Sequence, residues 1–98
     1  MTNQHAVLAV FRADPSRSQE QLMGLEHVIV PSVAGSPGFV RGDWVSDETS
    51  SERVAFILME SEGDARSLCE NVQANAEGQE GVGLELVSIR PMSVDVSA

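Results

Sequence analysis

Residues 53–68 read RVAFILMESEGDARSL, and the pattern that governs the chain changes inside this stretch. From Arg53 to Glu60 the alternate sets Val54/Phe56/Leu58 and Ala55/Ile57/Met59 are both apolar, which predicts a strand that withdraws both faces from water. Ser61 followed three residues later by Asp64 forms a capping box. It predicts a helix whose buried stripe is Ala65, Leu68, Val72 and Ala76, with Cys69 on its flank. A helix can cover one face of such a strand, so something else has to cover the other.

Working upstream, Phe39 to about Ser46 reads as a strand joined to the first by the polar turn Asp47-Glu48-Thr49-Ser50-Ser51. It is entered through Ala34–Trp44, AGSPGFVRGDW. Here Gly35 can end a helix in a left-handed conformation, Ser36-Pro37-Gly38 redirects the chain, and Gly42 allows a close neighbour or a bulge. Before it, Pro15 suits a first helical turn, with Ser16 or Ser18 capping toward Gln19 or Gln21. Leu22, Leu25, Ile29 and Val33 form that helix's apolar stripe, and Pro31 should kink or shorten it. His5–Arg12, HAVLAVFR, is a strand apolar on both alternating sets that stops at Ala13-Asp14-Pro15-Ser16. Downstream, the polar loop Glu77-Gly78-Gln79-Glu80-Gly81 leads to a last strand over Val82–Ile89, and Met92–Val96 alternates as an edge strand does.

The order strand, helix, strand, strand, helix, strand is a ferredoxin-like βαββαβ arrangement of the α+β class. It implies a four-stranded antiparallel sheet with two helices on one face, in a single domain over residues 1–98. Three of the four strands are apolar on both faces, so a monomer would leave a large apolar sheet surface in water. Homodimerisation, sheet face against sheet face, is the expected relief.

Composition narrows the partners. Fifteen acidic residues against six arginines and no lysine give a net charge of -9. Such a chain repels phosphate backbones and anionic bilayers, so neither nucleic acid nor a membrane is an expected partner. The start MTNQHAVLAV lacks the basic residues and long apolar run of a signal peptide, and the expected location is cytoplasmic. A single cysteine leaves no internal disulfide and few thiolates for a metal. No cofactor and no metal site are expected.

Nearly the whole chain resembles the dimeric α/β-barrel superfamily, and within it the antibiotic-biosynthesis monooxygenase-like proteins. The resemblance rests on Pro37-Gly38-Phe39 between first helix and second strand, on RVAFILMES followed by SEGDARSL, and on the closing GVGLELVSIRPM. It implies a dimeric α/β barrel with a pocket between helices and sheet. Relatives that act as cofactor-independent monooxygenases or degrade haem place an asparagine on the first strand and an asparagine or a tryptophan on the third, where this chain has Ala9, Ala55 and Met59. The haem-degrading relatives also carry a histidine on the second helix, and DARSLCENVQANA has none. The implied pocket, bounded by Ala9, Ala55, Ile57 and Met59, is apolar and suits a small hydrophobic ligand.

Few side chains remain for chemistry. His27 is a helical histidine that can serve as base or ligand, against the plainer reading of an exposed or interface residue. Arg41 and Trp44 fall on opposite faces of a regular strand: the first can bind a carboxylate or enolate or pair with Asp43 or Glu85, the second can wall a cavity or anchor the core. Cys69 has no evident base and reads as a small buried hydrophobe. The glycines of GSPGFVRG follow a helix and enter a strand, the reverse of a phosphate-cradling loop. Three functions follow as alternatives. The first is a homodimer that binds a small apolar or aromatic molecule without a catalytic set. The second is a cofactor-independent monooxygenase, isomerase or cyclase acting on an aromatic or polyketide-like substrate, using His27, Arg41 and Trp44. The third is a purely structural dimerisation module.

Overall fold

Two strands with no polar face form the middle of the sheet. In a computed structural model that describes residues 4–47, 49–75 and 83–97, β1 (His5–Ala13) pairs antiparallel with β3 (Glu52–Met59) on one side and β4 (Leu84–Ser93) on the other. β2 (Phe39–Ser46) adds antiparallel to β3, giving the order β2-β3-β1-β4. The fold is ferredoxin-like α+β, as the strand pattern predicts. β4 runs on through Pro91 to Ser93, so the last strand is longer than expected, and no separate edge strand forms over Met92–Val96: Met92 and Ser93 belong to β4 and residues 94–96 are not strand. Pro91 is tolerated there because β4 is an edge strand. The polar loop expected at 77–81 and the stripe position Ala76 lie outside the described residues.

Register assigns the faces. Val7, Ala9, Phe11 and Ala13 of β1 share a side with Ala55, Ile57 and Met59 of β3 and with Leu84, and all are buried in the core. α3 (Glu62–Ala74) covers this side through Ala65, Leu68 and Cys69. Its start follows the sequence: Ser61 is the cap, its hydroxyl accepting from the Asp64 amide at 3.1 Å and donating to the Asp64 carboxylate at 2.9 Å. The opposite side is uncovered in the single chain. It presents Leu8, Val10, Val54, Leu58 and Phe56, the last 39% exposed, with Val45 and Met92 at the margins.

The first helical segment departs from expectation. A 3-10 turn (Pro15–Arg17) leads into α1 (Ser18–Gly24), a π-helical turn (Leu25–Ile29) and α2 (Val30–Ala34), which together form one continuous arm. Asp14, rather than Ser16 or Ser18, caps it, accepting from the Ser16 amide and hydroxyl. Pro31 neither breaks nor shortens the helix. Its ring would meet the His27 carbonyl in a regular α-helix, and the widened turn just before it relieves that clash. The buried stripe is Gln21, Leu25 and Val33 with Ile29 half-buried, while Leu22, expected on it, is 51% exposed. Gln21 is fully enclosed. Its side-chain amide donates to the Asp14 carbonyl at 2.8 Å and the Gly83 carbonyl at 3.3 Å, tying the start of the arm to the start of β4.

The left-handed residue at the corner into β2 is Gly38, with φ of 79°, while Gly35 keeps a right-handed conformation. A Cβ at Gly38 would overlap the Asp64 carboxylate, so the corner rests directly on the capping box of α3. The Gly38 carbonyl accepts from the Glu60 amide at 2.8 Å, completing the junction. Gly38→Ala combines a disfavoured backbone conformation with loss of this seat, and is expected to lower stability by at least about 1 kcal/mol in urea unfolding.

Candidate functional site

The sheet register settles the position of Trp44. It pairs with Ala55, which pairs with Ala9, so the indole belongs to the helix-covered side. Gly42 is the reason that it fits: a Cβ there would lie 2.8 Å from two atoms of the Trp44 ring, so the indole folds back along its own strand over a position with no side chain. Val40 is the extra residue of a bulge between Phe39 and Arg41. Beyond it Arg41 lies on the uncovered side with Leu58, where its guanidinium bonds the Asp43 carboxylate at 2.7 Å.

The three candidate catalytic side chains are not brought together. His27 is exposed on the π-helical turn, Trp44 lies half-buried beneath the arm, and the sheet stands between both of them and Arg41. Ala9, Ala55, Ile57 and Met59 do share one place, but it is packed core, each at most 2% exposed. Among the described residues no cluster of three or more histidine, cysteine or acidic groups could hold a metal ion.

Open space occurs one layer further out. The arm and α3 run past each other on the covered side of the sheet with a groove of about 830 Å³ between them. Val28, Ile29 and Val33 face it from the arm, Leu68 and Val72 from α3, and Ser36-Pro37 lie at the corner. Polar character comes from Ser32, Asn71 and Asn75. Asn75 spends an amide hydrogen on the Asn71 carbonyl at 2.8 Å. Among the described residues no hydrogen bond engages the Asn71 amide group or the Ser32 hydroxyl, so both can serve a ligand. Among the described residues, none that lines the groove carries a charge, in a chain with a net charge of -9.

These residues were missed by reading elements singly. Their signal is a pair of i,i+3/i+4 sets, Val28/Ser32 on one helix and Leu68/Asn71/Val72/Asn75 on the other, which mean nothing until the two helices are placed side by side. Beneath the arm, Phe11, Leu25, Ile29, Trp44, Arg53 and Leu84 line a second, much smaller space of about 20 Å³. That is room for roughly one water molecule.

Solved structures place this architecture. MupZ from Pseudomonas fluorescens superposes with a TM-score of 0.68 at 11% identity, over 93% of this chain and 68% of that one. The monooxygenase ActVA-Orf6 of Streptomyces coelicolor, in complex with nanaomycin D, gives 0.65 at 15% identity over 99% and 89% of the two chains. SnoaB, a cofactor-independent oxygenase from Streptomyces nogalater, gives 0.65 at 12% identity over 97% and 94%. The chain thus has the ferredoxin-like fold found in proteins of the antibiotic biosynthesis monooxygenase type, and at these identities the likeness is one of fold. In sequence it matches no protein-family model and no curated protein.

Cys69 adds no reactive centre to the groove. Burial pushes its thiol up from the ordinary range, which leaves less thiolate at neutral pH. Iodoacetamide at pH 8 should therefore modify the native protein at least tenfold more slowly than the urea-unfolded chain, as read by intact mass.

Proposed function

We propose that this protein is a homodimer that binds a small, mainly apolar molecule in the groove between the arm and α3. The observation that carries the binding reading is the groove itself. Its volume lies within the range of small-molecule sites, roughly 300–1,000 Å³, and its lining is apolar with a few uncharged polar groups, as such sites are. The interior bounded by Ala9, Ala55, Ile57 and Met59 is filled by protein, so the ligand is assigned to the groove and not to the sheet surface.

The dimer reading rests on the uncovered face. Four strands of eight to ten residues present roughly 500 Å² in plan. Side-chain relief brings that toward the roughly 800 Å² that one partner of a stable interface buries. Its centre is Leu8, Val10, Val54, Phe56 and Leu58, while the ion pairs Arg41–Asp43 and Arg12–Glu85 stand at the margins. An apolar centre with a charged rim is the anatomy of a protein interface. Oxygenase chemistry of the kind named for two of the structural neighbours would need polar groups converging on a substrate. His27, Arg41 and Trp44 lie in three different places, and the binding reading is preferred for that reason.

Two measurements test the proposal. Sedimentation at low micromolar concentration should show a dimer, and Phe56→Arg, which buries an unpaired guanidinium in each half of the interface, should weaken association by about 3 kcal/mol or more, over a hundredfold. A wild-type monomer at that concentration would overturn the dimer. Native mass spectrometry of gently purified protein should show a retained small molecule that is lost in Ser32→Trp, where an exposed serine is replaced by a ring that fills the groove. A bare wild-type mass, with no thermal stabilisation by neutral apolar compounds, would overturn the groove as a site.

A further inference from the structure

Among the described residues, Ile29 is the one that lines both the groove and the small chamber under the arm. It is half-buried and belongs to the π-helical turn, the part of the arm that packs chiefly against the helical turns on either side of it. On its far side lies Trp44, with Phe11, Leu25, Leu84 and the strand position Arg53 completing a mainly apolar chamber too small for anything but a water molecule. On its near side lies a groove large enough for a ring compound.

From this arrangement we infer that Ile29 is the partition that sets how deep a ligand can enter, and so determines ligand size at this site. The inference rests on the groove reading above. With isoleucine in place a ligand lies flat between the arm and α3 and does not reach the indole. With the partition shortened, groove and chamber join into a single cleft that ends on Trp44. The β-branched side chain suits this role, since in a helix it holds essentially one rotamer and cannot swing aside as a leucine or methionine can. Asn71 stays at the groove mouth in either case, which separates entry into the groove from passage beyond it.

The chain has one tryptophan and no tyrosine, so its fluorescence above 300 nm reports on Trp44 alone. Bromobenzene is a suitable probe: it is neutral and apolar, and it quenches indole only on contact. Titrated into wild-type protein, it should shift the Asn71 side-chain amide resonances saturably, while Trp44 emission falls only in the shallow linear manner of collisional quenching. In Ile29→Ala the Asn71 shifts should persist, and a saturable loss of at least half the Trp44 emission should appear with the same midpoint. Ile29→Val, a smaller truncation less demanding of the fold, should give an intermediate loss. Saturable quenching of equal depth in wild type would overturn the inference, as would Asn71 shifts without added quenching in both variants. If bromobenzene leaves Asn71 unshifted in the wild type, the groove reading itself fails and the partition fails with it.

Discussion

The structure depends on a mismatch between a sheet that is apolar on both sides and helices that can shield only one. β1 and β3 carry no polar alternation, so no choice of register would turn a wetted face outward. The arm and α3 remove one side from water and fix the core around Val7, Ile57, Met59 and Leu84. Everything distinctive follows from the side that remains: an apolar sheet face left uncovered in the single chain, and open space displaced to the outer layer between the arm and α3.

Much of this was legible in the sequence, for local reasons. Strands β1 to β3 announce themselves through apolar runs bounded by turn residues, and Ser61–Asp64 marks the start of α3 to the residue. Gly42 reads as a place of close approach, and the approaching group is the ring of Trp44. Errors came where a residue's environment is set by contacts distant in sequence. Leu22 looks like the stripe position, yet Gln21 points inward, one turn before Leu25, and its amide reaches carbonyls at Asp14 and at Gly83. Gly35 looks like the left-handed stop, yet the residue that needs that conformation is Gly38, because α3 has to dock against it.

The candidate site was less legible than the fold. Strand positions 9, 55, 57 and 59 can be placed on one side of a sheet from sequence, but whether their neighbours fill the space above them is a matter of packing across several elements. Here α3 closes it with Ala65, Leu68 and Cys69, all buried in the same core. The groove depends on the spacing of two helices more than thirty residues apart in the chain, which no local pattern encodes. Trp44 sits between the two cases: its alternation with Arg41 was readable, and only the pairing with Ala55 says which of them faces the helices.

Both outer strands of the sheet carry an interruption, Val40 as the extra residue on β2 and Val87 on β4, and β4 also has Pro91. Each breaks the even row of amide and carbonyl groups that an added strand would need as a template. The sheet is therefore unreceptive along its rims, and the apolar surface it offers is confined to one face. Under the homodimer proposal such a molecule would pair and then stop, because the surface that joins two copies would be consumed in the joining while the edges that could extend the sheet into a fibre are already spoiled.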